Sequence, residues 1–87
     1  MKTIWKYELR YGLMSYELPK GAVPLHVHNQ NETPTLWAEV DTEELETEKR
    51  LFEIVSTGGM GPDIGQYIGT LHQPPYVWHV YEVVEER

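Results

Sequence analysis

Apolar side chains in this sequence recur at every second position in short runs, and most runs stop at a proline, glycine or asparagine cluster. A two-residue period puts successive side chains on opposite faces of a strand, so the pattern calls for half-buried sheet rather than amphipathic helix. Thr3, Trp5, Tyr7 and Leu9 alternate with Lys6, Glu8 and Arg10, with Ile4 the exception in the polar row. Met14, Tyr16 and Leu18 form a second run, closed by the turn Pro19-Lys20-Gly21, where proline fixes φ and glycine admits φ > 0. Val23, Leu25 and Val27 alternate with Pro24, His26 and His28; proline has no N–H for a ladder, which assigns this run to a sheet edge. Across the polar turn Asn29-Gln30-Asn31-Glu32 it forms a hairpin with Thr35–Val40, in which Leu36, Ala38 and Val40 share a face.

Leu51–Val55 reads as a central strand, and so does Tyr76–Val84, which carries apolar or amphipathic side chains on both faces. Gln66–His72 is expected to open with a short helical turn and continue as strand, stopped by Gln73-Pro74-Pro75. Asp41–Glu48 is expected to be a loop or a single helical turn, and Glu85-Glu86-Arg87 a frayed tail. Together these segments predict an all-β, mainly antiparallel fold: a small sandwich or open barrel of about six to seven strands with room for one short helical turn, in a single domain over residues 1–87. Trp5, Trp37 and Trp78 fall in three different strands and are expected to meet in one core.

Size and charge exclude several functions. A chain of 87 residues and 10.2 kDa buries about 64% of its unfolded surface, and seven strands leave little chain for a catalytic cleft. Seven basic residues against fourteen acidic ones give a net charge of −7, which argues against direct nucleic-acid binding through a phosphate-neutralising face. Without cysteine there are no disulfides, thiolate metal sites or cysteine nucleophiles. No apolar run approaches the ~20 residues of a membrane span, and Met1–Lys6 lacks the apolar core of a secretion signal, so no membrane partner and a cytoplasmic location are expected.

His26 and His28 project from one strand face, with His72 and His79 as further donors, but no local signature completes a ligand set and no metal or cofactor is assigned. Ser15 and Ser56, the only serines, lie outside any nucleophile elbow, so no catalytic residue is assigned and no enzyme is expected. Glu43, Glu44, Glu46 and Glu48 form an acidic face able to meet a basic groove on a protein partner. The glycine-rich segment Ser56–Gly65 is the most informative. Consecutive glycines let backbone N–H groups converge on an anion, so the candidate ligand residues are Thr57, Gly58, Gly59 and Gly61, with Tyr67 as a stacking platform. Lys20, Lys49 or Arg50 would supply counter-charge if the fold brings them near. The competing reading of this segment is a long flexible connection.

Met1–Tyr7, Leu18-Pro19-Lys20-Gly21-Ala22, Leu36–Val40, Thr57-Gly58, Tyr67-Ile68-Gly69-Thr70 and Val77–Val83 together resemble a family of short phage and prophage proteins that carry a domain of unknown function. The resemblance spans nearly the whole chain and rests on strand and turn landmarks, so it implies a fold more than an activity. It also implies a small non-enzymatic accessory protein in the host cytoplasm. The expected role is counter-defence: sequestering a nucleotide immune signal or similar phosphate-bearing ligand, as a homo-oligomer where one domain is too small to enclose it. The alternative is a protein-binding inhibitor of a host defence enzyme, such as a CRISPR effector, through the acidic and aromatic surface. A minor virion or housekeeping part is the third class.

Overall fold

The alternating runs become seven strands in the computed structural model, which describes residues 1–84. They are β1 (Lys2–Glu8), β2 (Gly12–Pro19), β3 (Val23–Gln30), β4 (Thr33–Asp41), β5 (Thr47–Ser56), β6 (Gly65–Gln73) and β7 (Tyr76–Val83). The first sheet has the order β1-β4-β3 and the second β2-β5-β7-β6. Every neighbouring pair is antiparallel. The chain is thus all-β, and its two sheets enclose one core in the manner of a small sandwich. The expected tail Glu85–Arg87 lies outside the described residues.

The register decides which residues enter that core. On the first sheet Leu36 stands opposite Tyr7 and Val27, and Val40 opposite Thr3. On the second, Ile54 stands opposite Val80, with Phe52 two residues along on the same face. Leu18, Leu36, Val40, Phe52, Leu71 and Val80 are essentially inaccessible to solvent, each contributing about 1.5–3 kcal/mol of burial. The hairpin between β3 and β4 turns on Asn31 and Glu32, both at positive φ (52° and 65°), as the two central residues of a tight hairpin turn must be to match strand twist.

Three expectations need correction. No helix occurs among the described residues: β6 is strand from Gly65 onward, because its pairing with β7 along its length outweighs local preference. The acidic run takes the expected loop form, held by side-chain bonds, with Thr47 and Glu48 already in β5. The face assigned to Val23, Leu25 and Val27 is broken by a bulge between Pro24 and His26. The extra residue reverses the parity, so Val27 enters the core while Val23 and Leu25 remain exposed. Lastly, the tryptophans do not meet. Trp78 shares the inner face of the second sheet with Leu71, Trp37 stands opposite Lys6 and His26 on the outer face of the first, and Trp5 is exposed at the β1 edge.

The sandwich is closed on one side and open on the other. Along the closed side β3 lies against β6: the Asn29 side-chain amide donates to the His72 carbonyl at 2.9 Å, and a Cβ on Gly69 would come within 2.8 Å of Val27 Cγ2. On the open side, among the described residues, the edges of β1 and β2 carry no neighbouring strand. The chain between β5 and β6 has an unusual route. Both strands are antiparallel to β7, so they run parallel to each other, with Ser56 opposite Trp78 and Gly65 opposite Val83. Residues 57–64 therefore travel back past five residues of β7, about 17 Å.

The closed side generates a prediction. Gly69→Ala is expected to destabilise the fold by about 1–3 kcal/mol through overpacking against Val27. Adding Val27→Ala removes the clash, so a double-mutant cycle read by urea denaturation should return a favourable coupling of at least ~0.5 kcal/mol.

Candidate functional site

The returning segment Thr57–Ile64 passes over the outer face of the second sheet as a strap across β7. Alternation along β7 sends Val80 into the core and therefore His79 and Tyr81 outward, beneath the strap. Thr57 pins its start: the backbone N–H donates to the Val77 carbonyl at 3.3 Å, and the hydroxyl lies 2.8 Å from His79 Nε2. Midway, Gly61 sits so close over the Tyr81 ring that a Cβ there would be 3.4 Å from Cε1. The far end is fixed by the Val84 N–H donating to the Ile64 carbonyl at 3.0 Å.

The other imidazole nitrogen of His79 faces the partner strand. Nδ1 lies 3.4 Å from Thr70 Oγ1 and 3.5 Å from Tyr67 Oη, and those two hydroxyls are bonded to each other. Strand parity alone would put Tyr67 and Thr70 on opposite faces, but a register shift between Tyr67 and Gly69 brings both outward. The Tyr67 ring meets Tyr81 edge-on at a centroid distance of 5.4 Å and is 48% exposed. The result is a half-open aromatic and hydroxyl cluster: Thr57, Tyr67, Thr70, His79 and Tyr81.

Of the expected ligand residues, Thr57, Gly61 and Tyr67 are thus brought to one place. Gly58 and Gly59 are at the turn that starts the strap, where Gly58 has φ +84° and the Gly59 N–H already donates to the Ser56 carbonyl at 2.9 Å. Thr70, His79 and Tyr81 were not assigned to this site from sequence, since the bulge that unites them leaves no local signal.

The expected counter-charges are elsewhere. Arg50 stands opposite Tyr16 and shares the inner face with Phe52. It forms a two-point pair with Glu82, whose second bond is 2.9 Å, and also donates to the Ala22 carbonyl at 2.9 Å and to Glu48 at 3.1 Å. The Glu82 carboxylate raises the guanidinium pKa further above its ordinary value. Lys49 and Arg50 line a half-apolar pocket of about 320 Å³ with Leu51, Gln66, Glu82, Val83 and Val84, at the Gly65 end of β7 and five residues from Trp78, the register partner of Ser56. Lys20 is in the turn between β2 and β3.

The acidic run is largely engaged in holding its own loop. Asp41 and Glu43 receive the N-terminal ammonium at 3.3 and 3.0 Å, Glu44 accepts the Glu46 N–H at 3.1 Å, and Glu48 accepts the Gly21 N–H at 3.0 Å besides Arg50. Leu45 projects from the middle of this loop, 93% exposed. The Glu43 N–H and the N-terminus hold Asp41 below its usual pKa, and the Gly21 N–H holds Glu48 below its own. His26 and His28 stack at 6.2 Å beside Trp37 on the outer face of the first sheet. Among the described residues no three side chains are grouped as metal ligands, and no helix is long and apolar enough to cross a membrane.

The sequence matches the family described as a domain of unknown function, DUF7352, over residues 1–87. The chain belongs to that family. No curated protein and no solved structure matches it.

Two outcomes follow. His79→Phe removes the anchor of Thr57 and should cost about 1 kcal/mol, lowering Tm by ~4–8 °C and speeding proteolysis between Gly58 and Ile64 relative to the parent. The depressed carboxylates set the pH dependence. Their folded pKa values lie below the unfolded ones, so their contribution is full above about pH 4.5 and is lost as pH falls through the folded values. Melting temperature should drop with acidification below that point, and Glu48→Gln should flatten the drop.

Proposed function

We propose that this chain is a non-catalytic binding protein whose ligand surface is the strap and the outer face beneath it, and that it is a phage accessory protein sequestering a nucleotide immune signal. The observation that carries the reading is the half-exposed Tyr67 ring beside the hydroxyls of Thr57 and Thr70 and the imidazole of His79. A planar base stacks on such a ring, a contact worth about 1–3 kcal/mol, while the cluster hydroxyls, held in place by His79, and the strap amides of Gly58 and Gly61 face the phosphate oxygens. With Arg50 committed to Glu82 and a net charge of −7, the site favours ligands carrying few charges. A cyclic oligonucleotide, with one negative charge per phosphodiester, fits better than a nucleoside triphosphate.

Binding is favoured over catalysis by the bonding of His79. Both its nitrogens are held by hydroxyls, and among the described residues no carboxylate bonds to it, which leaves no group to orient it as a general base in the manner of a catalytic triad. The acidic run offers less support for a protein-binding inhibitor, since Glu43, Glu44 and Glu48 are bonded within the chain.

Calorimetric titration with cyclic di- and trinucleotides and with ADP-ribose checks the proposal. At least one is expected to bind at micromolar concentration and raise Tm, and Tyr67→Ala should weaken it roughly tenfold, in line with a lost stacking contact. Absence of heat and of any thermal shift with all of them at high micromolar concentration contradicts it.

A further inference from the structure

The open side of the sandwich exposes two strand edges that differ in one respect. Native edges are normally blunted by charge, proline or a covering element, because an unpaired row of N–H and C=O groups recruits another strand. β1 carries Lys2, Lys6 and Glu8, and the β3 and β6 edges cover each other. β2 has no such device: from Gly12 to Leu18 its only charge is Glu17, and proline first appears at Pro19. Leu13, Met14 and Ser15 are exposed in succession, with Leu13 at 53% and Met14 at 39%. The register places Met14 opposite Phe52 on the inner face and Leu13 opposite Glu53 on the outer one, so apolar surface flanks the free edge on both sides.

We propose that the β2 edge is a self-association surface, on which two copies of this chain pair antiparallel from Gly12 to Leu18 about a twofold axis at Ser15. That centre uses the entire segment before Pro19, which has no N–H to offer. It sets Leu13 of each copy opposite Glu17 of the other and Met14 opposite Tyr16, so no like charges meet and a thioether lies against an aromatic ring. The two four-stranded sheets then join into one of eight. The interface is on the order of 1,000 Å² in total, the small end for a specific dimer, so assembly is expected in the micromolar range. The inference is independent of the ligand surface, which lies toward the β6 side of the same sheet.

Sedimentation equilibrium of the full chain across about 10–500 μM tests it. The mass should rise from 10.2 kDa toward twice that value. Ser15→Lys, which sets two ammonium groups opposite each other, should remain at monomer mass and match the parent's Tm when both are melted below the assembly concentration, while Ile4→Lys on the first sheet should dimerise like the parent. Because the chain has no cysteine, Ser15→Cys gives a second readout: antiparallel partners have Cα atoms 4.5–5.5 Å apart, within disulfide reach. It should oxidise to a dimer about ten times faster than Leu45→Cys, owing to the higher effective concentration. A monomer at the highest concentration, normal dimerisation of Ser15→Lys, or equal oxidation rates for the two cysteine variants overturns self-pairing.

Discussion

Hydrogen bonding of β7 along both of its edges is the constraint from which the rest of the second sheet follows. With β5 on one side and β6 on the other, each antiparallel to β7, the two flanking strands run parallel, and the chain must return across a face before β6 can begin. The inner face is occupied by Phe52, Ile54, Leu71 and Val80, so the return crosses the outer face. Eight residues make the passage by lying close to the sheet: a Cβ on Gly61 would already touch the Tyr81 ring at 3.4 Å, and one on Gly65, where β6 begins, would come within 3.1 Å of the Glu82 carbonyl. The glycines that look like a phosphate cradle in sequence are thus also what permits the strap to pass.

That close approach changes the character of the outer face. Residues that would be fully solvated on an uncovered sheet, His79 and Tyr81 among them, become half-buried and find partners: Thr57 from the strap, Tyr67 and Thr70 from β6. Polar groups taken partly out of water need such partners. Satisfying them yields a rigid cluster beside one half-exposed ring. On the inner face the corresponding demand is met by Arg50 and Glu82, which bridge β5 and β7 as a two-point ion pair and tie in the turn after β2 through the Ala22 carbonyl.

Much of this architecture was legible in the alternation of residues. The edge position of β3 followed from Pro24, the central position of β7 from apolar side chains on both its faces, and the β3–β4 hairpin from the polar turn at Asn31-Glu32. Two of the failures share one cause: a bulge adds a single residue and reverses every face beyond it, with no compositional trace. That error misplaced Val23 and Leu25, and it hid the pairing of Tyr67 with Thr70. The expected helical turn at Gln66 failed because long-range pairing with β7 outweighs local preference. The ligand residues were partly legible, since glycines and a nearby tyrosine announce themselves; His79 was visible only as a stray metal donor, because its role depends on a strap whose route is a property of topology.

The ligand surface exists only if the strap lies against β7 in solution. An NMR measurement of Gly61 tests this directly, because its Hα protons should show cross-relaxation to the Tyr81 ring and upfield ring-current shifts, with the Ile64 carbonyl still bonded to a slowly exchanging Val84 amide. Random-coil Gly61 shifts, no cross-peak to Tyr81 and rapid exchange at Val84 would contradict it.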